Sequence, residues 1–515
     1  MAIEWSGLGP ELLLRLDRER SEPLRSQLEA GLREAIRSGR LQGGERLPSS
    51  RELARELSVS RGLVQECYNQ LLAEGYLTSR TGSATRVAPG AGGQPASVPS
   101  SPSPLSPAPL AAAAGPASPA GPASRARASA PAGLASAGLA SAAGRPAPPR
   151  LIADFRSGVP DLASFPRSDW VWATKEACRS VATADLDYGD PRGSTVLRQV
   201  VAGYLRRVRA AAADPGHIVV CTGYAQGLNL ALRTLAGLGA GCAALEDPGH
   251  GDPASSDTTR AAQAAGMTVV HVPVDDGGLD VAALTATGAR VVIVTPAHQS
   301  PTGVVLTAKR RHALLEWAAR ADGYVIEDDY DSEFRYDREP VGVLQGLAPD
   351  RVFTIGTVSK SLAPTVRLGW MLVPPALAGA IAAEKRAADR GTSGLDQLAL
   401  AALLESGRYD RHLRQMRALY ARRRSVLIDA LARHAPGVRL TGLAAGFHAV
   451  AHLPPAADEA AVVAAAWERG VGLYGMAPLR AAAGAAPPQL VLGFGNVGER
   501  AVQAGLAAVA DLLRG

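Results

Sequence analysis

At 515 residues, 47% of them hydrophobic, the chain is too long for one ordinary domain and can bury a large core, so two or three folded units are expected. Apart from an Ala/Pro/Ser-rich segment it has no apolar run of membrane-spanning length, and Met1–Pro10 lacks a basic stretch followed by an apolar one; neither a membrane span nor a signal peptide is expected. The net charge of +6 does not argue for nucleic acid by itself: residues 1–87 carry 13 arginines against 12 acids, residues 88–150 four arginines and no acid, and the remainder 37 basic against 36 acidic residues. The four cysteines, Cys67, Cys178, Cys221 and Cys242, show no C-x-x-C spacing, which speaks against a zinc site or disulfide framework and fits the reducing cytoplasm.

In chain order, Leu24, Leu28, Leu32 and Ile36 share one helical face, and Gly39 with Gly43-Gly44 ends that helix. Ser49 and Ser50 then cap a short helix, Arg51–Leu57. After the turn Ser58-Val59-Ser60, Arg61–Glu74 reads as a third helix that buries Val64, Tyr68, Leu71 and Leu72. Leu77–Arg80 and Ala84–Val87 flank Thr81-Gly82-Ser83 as a two-stranded wing. From residue 88 to 150 the chain is mostly Ala, Pro, Gly and Ser, without aromatic or acidic residues. A flexible linker is expected, because so little apolar surface cannot offset the entropy of ordering.

Beyond the linker, residues 151–515, β-rich runs alternate with helical stretches. The runs are Ile218–Thr222, Cys242–Glu246, Met267–Val270, Val291–Thr295, Tyr324–Glu327, Val352–Gly356 and Gly369–Val373. Continuous apolar strands separated by helices predict a mainly parallel sheet covered on both faces, an α/β body. A large lobe is expected over about 185–373 and a smaller one over about 374–515, the latter opening on a long helical stretch at Leu395–Leu431.

Chemistry concentrates in three places. The chain has only four lysines, and Lys175, Lys309 and Lys385 lie in charged helical contexts that predict surface positions. Lys360 instead follows a buried strand, seven residues before Arg367, as an amine able to condense with an aldehyde next to a partner for phosphate. In I-E-D-D-Y-D, Asp328 and Tyr330 fall at the carboxyl end of a strand, where ligands of such sheets bind. They could supply the acid and the hydroxyl that pyridoxal phosphate needs at its ring nitrogen and phenolic oxygen. T-G-Y-A-Q-G-L-N-L is a glycine turn that presents backbone amides to a phosphate.

Two resemblances join these pieces. G-E-R-L-P-S-S-R-E-L-A, V-S-R-G-L-V and E-G-Y-L-T-S-R-T-G-S follow one another as in the GntR-type winged helix-turn-helix, a mainly α fold. That resemblance implies binding to double-stranded operator half-sites. Arg61 and Gly62 would start the recognition helix in the major groove with Ser60 at a phosphate, Arg51 would reach from the preceding helix, Thr81-Gly82 would set the wing on the minor groove, and Arg46 is a further candidate contact. The wing reads G-S-A-T where the family usually has G-S-G-T, which leaves its turn geometry open.

The remainder, through D-F-R-S-G-V-P-D, Y-G-D-P-R-G, E-D-P-G, H-Q-S-P-T-G, E-D-D-Y-D-S-E-F-R-Y and S-K-S-L-A-P-T-V-R-L-G, resembles the fold type I aminotransferases, and with such a head the MocR subfamily of regulators. The resemblance implies that Lys360 forms a Schiff base with pyridoxal phosphate, with Asp328 at the ring nitrogen and Tyr330 at the phenolic oxygen. Arg367, Ser359, Thr357 and the Tyr224, Ala225 and Gln226 segment would surround the phosphate. Tyr188 would reach the phosphate of the neighbouring subunit in a head-to-tail homodimer.

Three positions depart from active aminotransferases. Ser300 replaces an asparagine, a loss that His298 or Gln299 is expected to offset; His250 replaces the aromatic that stacks on the ring; Val491 stands where an arginine clamps the substrate carboxylate. These changes predict a regulator of the MocR type, responding to pyridoxal phosphate or an amine that reacts with it, with control of vitamin B6 biosynthesis genes as a candidate role and without efficient transamination. An active aminotransferase with a fused head, and a body that serves only as a cofactor-free dimerisation scaffold, are the alternatives.

Overall fold

The computed structural model describes residues 23–88, apart from 38–40, 42–43, 46, 58, 74–75 and 79–84, and residues 151–514, apart from 337–341 and 482–485. The expected linker at 88–150 therefore lies outside the described residues save for Ala88.

In the head, helices span Leu24–Arg37, Ser50–Glu56 and Arg61–Ala73, followed by the antiparallel pair Leu77–Thr78 and Arg86–Val87 with Leu77 opposite Val87. Leu28, Leu32 and Ile36 are fully buried, and they meet Leu53, Val64, Cys67, Tyr68 and Leu71 in one apolar core. The 64, 67, 68, 71 spacing places one face of the third helix in that core. Leu72, expected inside, is only partly covered, because it sits on the flank of that stripe. Tyr68 donates its hydroxyl to the carbonyl of Pro48 at 3.0 Å, so this buried phenol is satisfied.

Among the described residues of the body, eight strands form the main sheet. In spatial order they are Ile218–Cys221, Gly369–Leu372, Val352–Thr357, Tyr324–Asp329, Val291–Val294, Cys242–Asp247, Thr268–Asp275 and Gly278–Leu279. All run in one direction except Gly369–Leu372 and Gly278–Leu279. All seven expected runs are strands; the short hairpin partner Gly278–Leu279 is additional. Alternate residues feed two cores: Val291 and Ile293 pack with Leu228, Leu235 and Ile381, whereas Val292 and Val294 pack with Leu284, Leu314 and Trp317. Helices such as Tyr224–Gly237 and Ala308–Arg320 cover these two faces, which explains why the strands are apolar throughout.

A second, three-stranded antiparallel sheet is made of Arg439–Thr441, His448–His452 and Gln489–Gly493. The chain just after the linker returns to this region, since Ala153–Asp154 pairs in parallel with Val471–Gly472. The expected helical stretch Leu395–Leu431 is two helices, Gly394–Glu405 and Arg408–His434. Gly407, at φ +70°, breaks it, a conformation in which a side chain would be strained. None of the described helices is long and apolar enough to cross a membrane.

Candidate functional site

Because six strands of the main sheet point one way, their carboxyl ends share an edge, and polar side chains gather there. Strand Tyr324–Asp329 delivers Asp328 and Tyr330, strand Val352–Thr357 leads into Ser359 and Lys360, and strand Ile218–Cys221 turns through Thr222-Gly223 into helix Tyr224–Gly237. A cleft of about 530 Å³, open to solvent, is lined by Tyr224, Glu246, His250, Thr295, Ser300 and Asp328 among others.

Lys360 is partly buried, and its Nζ donates to the carbonyl of Gly158 at 2.7 Å. Burial lowers its pKa from the ordinary lysine value, while the charges of Asp328 and Asp331 raise it. Asp328 shows the opposite shift. Burial pushes its carboxyl well above the usual range, Asp329 adds to the rise, and Lys360 opposes it. Its Oδ1 is shielded from solvent and has no hydrogen-bond partner among the described residues. A shielded carboxylate oxygen left unpaired costs free energy, and a protonated ring nitrogen is the kind of group that would satisfy it. The residues present therefore fit pyridoxal phosphate.

The residues expected to surround a phosphate form a second group. Gly223 has φ +81°, and a Cβ there would lie 3.2 Å from the Arg367 guanidinium, so glycine lets the turn rest against that group. Arg367 is exposed and donates from Nη2 to the carbonyl of Thr222 at 2.7 Å. The hydroxyls of Thr357 and Ser359 lie 2.8 Å apart, and Thr357 Oγ1 accepts from the Ser359 amide at 3.1 Å. Helix Tyr224–Gly237 opens at Gly223, beside Arg367, without a side-chain cap on its N-cap residue and with Ala225 exposed, which suits its first backbone amides to an anion. The Gln226 side chain is engaged elsewhere: its Oε1 accepts from the Thr222 amide at 2.8 Å and from Lys385 Nζ at 2.8 Å.

Tyr330 donates its hydroxyl to the carbonyl of His298 at 3.0 Å and lies 3.2 Å from that residue's Nδ1. His250 Nδ1 is 3.4 Å from Ser300 Oγ, and burial first, then the Lys360 charge, lowers its pKa. Neither residue expected to offset Ser300 is free to do so. His298 faces Asp331 Oδ2 at 2.8 Å and Gly442 O at 3.3 Å, and the Gln299 amide donates to Pro248 O and Ser300 O, both at 2.9 Å. Val491 is buried with Val450 and Met476, and Leu479 packs on that cluster. The Gly249 amide of the cleft donates to Leu479 O at 3.1 Å, so this apolar group adjoins the cleft loop. Tyr188 is 77% exposed, with the Arg390 guanidinium 5.3 Å from its ring centre.

Three features escaped the sequence reading. Lys385, expected at the surface, is fully buried, because helix Ala378–Asp389 turns it toward Gln226. The Gly158 carbonyl holds Lys360 across 202 residues of sequence, and a backbone acceptor leaves no motif. Glu246 lies buried in the cleft, where its Oε2 accepts from the amide and hydroxyl of Thr295 at 3.1 and 2.6 Å and burial raises its pKa to about 7. The motif E-D-P-G at a strand end was the signal that could have found it.

In the head, Arg51, Ser60, Arg61 and Gly62 are all exposed. Ser60 Oγ accepts from the Leu63 amide at 3.2 Å and so caps the third helix, while Ser50 Oγ donates to Gln65 Oε1 at 3.0 Å and ties the second helix to it. Arg46, Thr81 and Gly82 lie outside the described residues.

Comparison with known proteins separates the same two parts. Residues 152–483 match the family described as aminotransferase class I and II, and residues 24–87 match the bacterial regulatory proteins of the gntR family. The chain is 32% identical over 504 residues to the HTH-type pyridoxine biosynthesis transcriptional regulator of Corynebacterium glutamicum, covering 97% of this chain and 98% of that protein. It is 33% identical over 498 residues to the probable rhizopine catabolism regulatory protein of Rhizobium meliloti, covering 96% and 94%. Among solved structures, an archaeal alanine:glyoxylate aminotransferase superposes with a TM-score of 0.63 at 25% identity, over 70% of this chain and 90% of the other.

Proposed function

The chain belongs to the aminotransferase class I and II family and, with its GntR-type head, is a helix-turn-helix transcription regulator of the MocR type; from that premise we propose that its body binds pyridoxal phosphate as a signal and that occupancy alters its affinity for operator DNA. One observation carries this reading: the unpaired, shielded Oδ1 belongs to Asp328, whose carboxyl feels the charge of Lys360, a lysine that burial holds below its ordinary pKa. Asp328 would hold the proton at the ring nitrogen and Tyr330 would meet the phenolic oxygen. Arg367, Ser359, Thr357 and the amides of Tyr224, Ala225 and Gln226 would hold the phosphate. When bound, the cofactor supplies an aldehyde that condenses with amines, and Lys360 is the amine placed for it. Tyr188, so exposed in one chain, would serve the neighbouring subunit in a head-to-tail dimer.

Val491 packs in an apolar cluster and itself brings no guanidinium to an α-carboxylate, which favours holding the cofactor over turning amino acids into keto acids. The complete Lys360, Asp328 and Arg367 set favours the second reading, an active aminotransferase, and a transamination assay with amino and keto acid pairs separates the two. Likeness to the Corynebacterium glutamicum regulator supports vitamin B6 biosynthesis genes as targets. Exposed Arg51 and Arg61 would read the half-sites.

For such a switch the ligand must bind two states of the protein unequally. A mobility-shift titration on the DNA upstream of the chain's own gene, with and without saturating pyridoxal phosphate, tests it. The expected result is a change in DNA affinity of about fivefold or more. Unchanged affinity at saturation removes the sensing role.

A further inference from the structure

Helix Ala378–Asp389 packs on the same sheet face as helix Tyr224–Gly237, with Ile381 in the shared core. One turn further on, Lys385 is fully buried, yet its ammonium is not left bare. Its Nζ donates to Gln226 Oε1 at 2.8 Å, Asp389 Oδ2 at 2.5 Å and Thr392 Oγ1 at 3.0 Å, three acceptors for three protons. Gln226 also donates from Nε2 to Asp389 Oδ2 at 2.7 Å, and Thr392 Oγ1 donates to Val220 O at 3.4 Å. The Asp389 carboxylate is steadied in turn by the Gly391 amide at 2.9 Å.

This knot continues into the phosphate end of the cleft. The Gln226 amide group is fixed from behind by Lys385 and Asp389, and its Oε1 reaches back to the Thr222 amide at 2.8 Å. A glutamine three residues into a helix that bonds back to the preceding backbone closes the turn in the manner of a capping box. The Thr222 carbonyl on the far side of that residue accepts from Arg367 at 2.7 Å. Gly223 sits between them with no side chain to limit the turn, so its shape depends on these contacts.

We propose that Lys385 is a positioning residue for phosphate, which holds the Thr222–Gln226 turn and, through the Thr222 carbonyl, the Arg367 guanidinium in a phosphate-receiving arrangement. This rests on the cofactor reading above, but it concerns the phosphate alone. Lys385 does not touch the ring end of the cleft, so its loss should be felt by ligands that carry phosphate and not by those that lack it. A residue that merely fills the core would affect both kinds equally.

The experiment titrates the full chain and its Lys385→Met variant with pyridoxal phosphate and, separately, with pyridoxal, following absorbance. Methionine keeps the length of the side chain and removes its donors. The expected result is about tenfold weaker binding of pyridoxal phosphate, the scale of a charge-assisted hydrogen bond, with pyridoxal changed by less than about twofold. Lys385→Arg, which keeps the charge and donors, should recover part of the loss. Equal weakening of both ligands, or unchanged affinity for pyridoxal phosphate, overturns the proposal. If Lys385→Met unfolds, the double variant Lys385→Met with Asp389→Asn, which removes both charges together, is read by the same criteria. A wild-type chain that binds neither ligand overturns the cofactor reading, and this inference with it.

Discussion

The wall of the cleft at the carboxyl edge of the main sheet carries Asp328, Glu246 and His250, two of which feel the charge of Lys360, whereas Val450 and Val491 of the three-stranded sheet pack with Met476 behind Leu479. The first wall concentrates ionisable groups whose pKa values are moved by burial and by one another. The second is an apolar cluster. On the proposed reading, this body keeps the residues that would hold a cofactor while Val491, at the position expected to grip an amino-acid carboxylate, is part of the core. Fold and site chemistry are separable, and function follows the site.

The strongest way to break this contrast is Val491→Arg. If that position is core, a guanidinium placed there lacks a partner, and stability should fall by about 3–5 kcal/mol, read as the urea midpoint. An unchanged midpoint would mean that the second wall has room for a clamp.

Glu246 tests the first wall through pH. Its pKa is raised by burial from 4.5 to about 7, so the folded chain binds that proton more tightly than the unfolded one. The resulting stability is fully present below the unfolded value and is lost as pH rises through about 7, a contribution of roughly 3 kcal/mol at most. Glu246→Gln should flatten the decline in unfolding free energy between about pH 5 and pH 7. An identical slope in both proteins would mean that the carboxyl is not shielded.

A smaller effect is expected at the turn. Gly223→Ala puts a Cβ at φ +81° and 3.2 Å from Arg367, which should cost about 1–3 kcal/mol and weaken phosphate-bearing ligands, both measurable in one thermal-shift series. The smallest is the control in the head, outside both walls. Ser60→Ala removes the cap on the Leu63 amide and should lower stability by about 1 kcal/mol, by urea unfolding, without altering the cleft's affinity for pyridoxal phosphate.

Much of this was legible in the residues, and the exceptions have a common cause. Strands such as Val291–Val294 read correctly because both faces of the sheet are covered and every position must be apolar. Helix Arg61–Ala73 read correctly because its 64, 67, 68, 71 stripe is periodic. Lys385 did not, since E-K-R-A-A-D is the composition of a solvated helix, and the acceptors that make its burial tolerable include, besides Asp389 and Thr392 nearby, Gln226, 159 residues away. His298 and Gln299 looked available for the same reason: the partners that occupy them, Asp331, Gly442 and Pro248, come from other segments. Sequence patterns report what a residue offers along its own element. They do not report which distant backbone or side chain has already taken it.

The central claim is that the cleft receives pyridoxal phosphate at Lys360, and an absorbance titration of the full chain tests it most directly. The account predicts a visible band that grows to saturation with the wild-type chain and does not form with Lys360→Ala, while that variant still unfolds cooperatively. A band of equal strength in Lys360→Ala, or none in the wild-type chain, would contradict it.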